Sequence, residues 1–226
     1  MANIDIKELT NPATPIEHRQ KVMRGLIAQI PAIGSIITEY LPDARIKKMV
    51  RFVVQLSEDL EKLKSKLDDE YIQRDDVLCL VEKSFKSLYE TYDTNKLMAL
   101  KNGLIRVIVD KNIEVDRKDF YINLLNSLTP FHFRILSLIY STEEYLKENN
   151  IKLSENVSSG RIFFFKEAIR DMNETEIIMV YQELVSKMLV QNVNLSAGSS
   201  QNGIYALKGL DTNFGREFMS FFKNNF

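Results

Sequence analysis

Residues 45–67 read RIKKMVRFVVQLSEDLEKLKSKL, and the spacing of their apolar side chains decides the fold class. Ile46, Met49, Val53, Leu56, Leu60, Leu63 and Leu67 follow one another at intervals of three, four, three, four, three and four. Such an a/d seam marks a helix that lays a narrow apolar stripe against a second helix. The overlapping run SEDLEKLKSKLDDE carries charges of both signs, as the wet face of that helix should. At about 1.5 Å per residue, a helix over 44–70 would extend about 40 Å. The nearest partner for the seam is the following stretch, where Val77, Val81, Phe85, Leu88 and Tyr92 recur at helical spacing. The polar connection DEYIQRDD between them suits an antiparallel helical hairpin. A coiled coil between two copies is the competing reading.

The rest of the chain agrees with a mainly α protein. Eight glycines and five prolines in 226 residues are too few for a fold rich in strands and turns. A helix is expected over 94–109, with Leu97, Leu100, Leu104 and Val107 or Ile108 inward. Asp116 caps a further helix, Thr129-Pro130 opens another, and Thr142 opens a shorter one that stops at ENN. Beyond it come RIFFFKEAIRDM and NETEIIMVYQELVSKM, two β-compatible runs (189–195 and 204–210) around the small polar loop SAGSSQNG, and a final helix. That helix turns Phe214, Phe218 and Phe221 or Phe222 inward. Three helices, a β-hairpin and a closing helix form the order of a winged helix. The expected organisation is therefore an N-terminal helix with an apolar segment (1–42), a coiled-coil-like hairpin (43–112) and a winged-helix-like domain with a small β-hairpin (113–226).

The apolar segment is GLIAQIPAIGSIIT, residues 25–38, with no charge in it. Fourteen residues are too few to cross a bilayer, which takes about 20, and Pro31 and Gly34 interrupt a single helix. It reads as a buried corner or, if Ile30, Ile33, Ile36 and Ile37 face outward, as the contact for a protein partner or a membrane surface.

Thirty basic and 31 acidic residues leave a net charge of −1, so no bulk attraction to nucleic acid or anionic lipid follows. One cysteine, Cys79, excludes an internal disulfide. The start MANIDIKELTNPATP lacks the basic and apolar regions of a secretory signal, so the expected setting is cytoplasmic or peripheral to a membrane. Cys79 between leucines reads as a small buried hydrophobe.

His18 and His132 are the only histidines, and no zinc, phosphate-loop or serine-nucleophile motif occurs. His132, just after Thr129-Pro130, reads as a helix-start or packing residue. The acidic run Asp68, Asp69, Glu70, Asp75 and Asp76 reads as a capping turn rather than a cation site. No enzyme, cofactor or small-molecule substrate is indicated. A winged helix also raises DNA binding, for which Arg161, Lys166, Arg170, Lys187 and Lys208 are the candidate phosphate contacts. The outer face of its third helix, with Glu174, Glu176 and Glu183 against Lys187, opposes that reading.

Four stretches, IPAIGSIITEYLP, the heptad helix RIKKMVRFVVQLSEDLEKLKSKL, FYINLLNSLTPFHFRILSLIY and the tail LDTNFGREFMSFF, resemble those of bacterial abortive-infection alpha-type proteins. The resemblance implies a bacterial setting in phage defence and carries over no catalytic residue. LDTNFG departs from the simpler leucine-threonine start expected for the last helix. The leading expectation is thus a non-enzymatic helical protein acting through a protein partner or self-association as an oligomer. A DNA-binding regulator and a membrane-perturbing effector are the alternatives.

Overall fold

A computed structural model describes residues 46–91, 93–152, 160–197 and 206–223, with backbone alone for 46–51, 53, 54 and 88–90. The apolar segment with Ile30, Ile33, Ile36 and Ile37 lies outside the described residues, as do the side chains of Ile46, Met49 and Val53. Ten α-helices lie among them: α1 Ile46–Lys62, α2 Asp69–Ile72, α3 Asp75–Glu90, α4 Thr94–Val109, α5 Val115–Ser127, α6 Pro130–Tyr140, α7 Thr142–Glu148, α8 Arg161–Ala168, α9 Glu174–Ser186 and α10 Asn213–Phe222. The protein is mainly helical, and no described helix is long and apolar enough to cross a membrane. The chain forms two compact units, one taking residues to Asn126 and again from Phe222, the other Ser127–Phe221.

In the first unit the heptad stretch is helical but shorter than its spacing predicts. Leu56, Leu60 and Leu63 are buried and continue a stripe begun by Phe52. The helix stops at Lys62, a 3-10 turn follows at Lys64–Lys66, and Leu67 is extended and half-buried. Lys64, Ser65 and Lys66 are exposed, so nothing apolar continues the stripe there. Asp68 then starts α2 by accepting the Tyr71 N–H at 3.0 Å.

The pairing also differs from the expected one. α3 folds back on α4, and α1 packs chiefly against α4, touching α3 through an edge-on contact of Phe52 with Phe85 at 5.9 Å. The short connection after α3 explains the choice: Asp93 caps α4 by accepting the Lys96 N–H at 2.8 Å, only three residues past Glu90. α3 turns Val77, Leu80, Val81, Ser84 and Phe85 inward, and this leaves Cys79 exposed rather than buried. The buried Lys101 of α4 pairs with Asp59 of α1, so the one charge on the inner face of α4 has its counter-charge beside it.

A second buried lysine closes the end of α4. Lys118 of α5 is fully buried. Its Nζ donates to the carbonyls of Val107, at 3.3 Å, and Asp110, and to the Tyr71 hydroxyl at 2.5 Å. The amine thus serves two carbonyls at the end of α4, where the helix leaves such groups open, and the Tyr71 hydroxyl donates to Val107 as well, at 3.3 Å. Burial holds the Lys118 amine down to about 8.

The second unit contains α6 to α10. α7 folds against α6, and α9 packs on both α8 and α6. The β-hairpin expected of a winged helix is not found among the described residues. Its first run contributes one isolated antiparallel bridge, Val190 with Asp211, and residues 206–209 of its second run form a turn, Gly209 having φ 78°. The physical reason lies in the burial pattern: Ala206, Leu207 and Leu210 are all buried, whereas a half-buried strand alternates. The loop tip 198–205 lies outside the described residues.

The departure LDTNFG has a local explanation. Thr212 Oγ1 accepts the Gly215 N–H at 2.8 Å and donates to the Met188 carbonyl at 2.8 Å, while the Thr212 N–H donates to the Tyr140 hydroxyl at 3.1 Å. That hydroxyl donates to the Leu189 carbonyl at 2.5 Å. A Cβ at Gly215 would stand 1.9 Å from the Tyr140 hydroxyl and 2.3 Å from the Leu189 carbonyl oxygen. Glycine is therefore required by close approach.

Gly215→Ala should lower stability by about 1–3 kcal/mol, because a backbone carbonyl must move to admit the methyl group. Urea unfolding of the variant beside the parent checks this. Lys118→Met should cost about 1–3 kcal/mol, because the Asp110 carbonyl and the Tyr71 hydroxyl lose the amine that donates to them. Because the folded-state amine titrates below the unfolded one, the unfolded chain binds more protons between about pH 8 and 10. Parental stability relative to Lys118→Met should therefore rise across that window, as unfolding at successive pH values would show.

Candidate functional site

α9 presents exposed apolar, amide and acidic side chains on one surface. Asn173 and Glu176 form a reciprocal capping box at its start, at 3.0 and 2.8 Å. Ile177, Tyr181 and Leu184, at intervals of four and three, turn inward. Val180 and Val185 are half-buried, and Met188 is 72% exposed. It lies past the helix end at φ 58°, which swings it off the apolar stripe. Met179 also projects into solvent, 59% exposed, beside the exposed Glu176, Gln182 and Glu183.

Tyr181 carries a second task. Its hydroxyl, pushed up to about 12 by burial, donates to the Gln191 carbonyl at 2.7 Å and fixes the chain that leaves α9. Four residues further, the Leu195 carbonyl accepts the Ile162 N–H at 3.1 Å and its side chain is buried. Between these points a groove of about 200 Å³ is walled by Ile178 and Gln182 of α9 and floored by Asn192–Ser196. Amides, a hydroxyl and aliphatic groups line it, and no ionisable side chain does.

The basic residues expected to meet phosphate do not present a free patch. Arg161 is half-buried and donates to the Ala206 carbonyl at 3.1 Å, and Lys166 lies 3.6 Å from Glu174. Arg170 is exposed and donates to the Glu167 carbonyl at 3.4 Å, Lys187 is half-buried at the end of α9, and Lys208 is exposed in the 206–209 turn. The acidic turn is likewise engaged in local contacts: Asp68 pairs with Lys111 at 2.6 Å, which holds its carboxyl below the usual range, and Asp76 pairs with Arg74 at 2.5 Å.

His132 has the helix-start position its sequence context suggests. Its Nδ1 accepts the Thr129 N–H at 3.1 Å, completing a capping box in which the Thr129 side chain takes the His132 N–H. A ring nitrogen that accepts an N–H carries no proton, so the network assigns the ring proton to Nε2, which faces Glu183 Oε2 at 2.9 Å. The ring lies between the start of α6 and α9, close to Glu183 but without hydrogen-bond alignment from Nε2.

The residues that line the groove were not singled out by sequence reasoning. The available signal was the alternation of Asn192 and Asn194 with Val193 and Leu195 in the run taken as a strand. His132→Ala should destabilise the protein by about 1–2 kcal/mol, and His132→Gln, which preserves a capping acceptor, by less. Denaturant midpoints of the two variants test that ranking.

Set against known proteins, the chain matches no family model, no curated protein and no solved structure.

Proposed function

We propose that this chain is a non-enzymatic helical protein that works by associating with a partner protein, using the outer surface of α9. The observation that carries this reading is the pairing of solvent-exposed methionines, Met179 and Met188, with an outer α9 face that is amide-bearing and acidic. Methionine is flexible and polarisable, so it suits an adaptable protein contact. A phosphate backbone would meet Glu176 and Glu183 on this face, and the attraction that supports DNA binding would be lacking. Within Ser127–Phe221 the sequence has nine basic and eleven acidic residues, which points the same way. The motif resemblance to abortive-infection alpha-type proteins supports a phage-defence setting for that association.

The test uses the full chain and the double variant Met179→Glu, Met188→Glu, both captured from bacterial extract and weighed in solution by light scattering. Both substitutions fall at exposed positions and should leave the unfolding transition in place. The parent should carry a stoichiometric partner or exceed the 26.2 kDa of one chain, and the variant should lose it. A parent that stays a bare 26.2 kDa monomer, or a variant that keeps its partner, would overturn the reading.

A further inference from the structure

Met179 stands on the side of α9 turned away from the core. It lies two positions from Ile177 and from Tyr181, about 200° round the helix from each, so its exposure is not overflow from the inward stripe. The exposed Glu176 and Glu183 sit three residues before it and four after, the spacings that make neighbours on a helix surface. Being seven residues apart, the two carboxylates fall within about 20° of each other round the helix and about 10 Å apart along it. Half-buried Val180 lies on the same side, so Met179 and Val180 form one apolar seat with a carboxylate at either end.

The charge at this seat is left without a cation of the chain's own. Asp171 and Glu174, where α9 begins, have Arg134 and Lys166 as counter-charges. Among the described residues, Glu176 and Glu183 pair with no lysine or arginine. Glu176 accepts the Asn173 N–H, and Glu183 lies 2.9 Å from the His132 ring, which is left uncharged by the Nδ1 that accepts the Thr129 N–H. Lys187, one turn beyond Glu183, is half-buried and makes no ion pair with it. The seat therefore selects by attraction: a flexible apolar surface held between two carboxylates favours an apolar side chain carried between two cations. The same carboxylates repel nucleic acid and anionic lipid.

We propose that this seat receives a cationic amphipathic helix of the partner protein. Lysines or arginines seven residues apart on that helix meet Glu176 and Glu183, and an apolar residue three or four positions along from the first rests on Met179 and Val180. A second helix has the same rise per residue as α9, so equal spacing of the charges fixes the register of the pair. This rests on protein association as the mode of action.

The probe is a bead-bound library of end-blocked, helix-forming peptides with two cationic residues seven apart and randomised apolar residues between them, offered to the full-length chain. Two control libraries stand beside it, one of the same composition with the cations five apart, the other with glutamates seven apart. The first library should retain the protein and the controls should not. Binding of its strongest peptide should weaken as salt rises. The double variant Glu176→Gln, Glu183→Gln should bind that peptide about tenfold more weakly. Both positions are exposed, and glutamine at 176 keeps the capping box, so the fold is preserved. Glu183→Lys should recover affinity for the peptide remade with glutamate at the facing cation. Equal retention by either control library, no retention at all, or affinity indifferent to Glu176→Gln, Glu183→Gln would each overturn the proposal. Partner capture that is lost in the Met179→Glu, Met188→Glu variant yet unchanged in Glu176→Gln, Glu183→Gln would reject the cationic helix while sparing the association. A parent that captures nothing and stays monomeric would reject the association itself.

Discussion

Among the described residues the many helices create one governing constraint: each helix end leaves backbone groups without partners, and those groups must be satisfied wherever the end is withdrawn from water. Most of the polar side chains that attract attention in this protein serve that need. Asp68, Asp93, Thr129 with His132, Asn173 with Glu176, and Thr212 hold the starts of five helices. Lys118 answers the carbonyls at the end of α4. The buried histidine, the buried lysine and the acidic turn are the groups that would otherwise suggest chemistry. Each is occupied at a helix end.

That constraint explains which parts of the fold were legible. Capping residues act over three or four positions, so Thr129-Pro130, Asp93 and Asn173 mark helix starts in the sequence itself. The choice of partner for a helix is not local. The spacing from Ile46 to Leu67 identified an apolar stripe but could not say that α3 would close on α4, leaving α1 to lie chiefly against α4. Nor did periodicity register that Lys64, Ser65 and Lys66 would end the helix early, because Leu67 preserved the heptad count.

The second unit shows the same division. Helix order was readable, whereas the β-hairpin was inferred from β-compatible composition, and composition does not register that Ala206, Leu207 and Leu210 are buried together. The groove escaped notice for a related reason. It is lined by amides, a hydroxyl and aliphatic groups, residue types that no motif flags. Only the placement of α9 beside the run Asn192–Ser196 makes the groove. Charge balance, by contrast, is a property of the sequence alone, and the carboxylates on the outer face of α9 already opposed a phosphate-contacting reading.

The contact among Tyr140, Thr212 and Gly215 bears on how this architecture can diverge. A hydroxyl on residue 140 occupies the space that any side chain at 215 would need, and it is held there by the backbone of 212. Residue 215 is therefore confined from two sides, by the hydroxyl of residue 140 and by the Leu189 carbonyl. Elsewhere a buried leucine can give way to another apolar residue of like volume without altering the backbone. A glycine would thus be needed at 215 even with phenylalanine at 140, because the Leu189 carbonyl stands in the way as well.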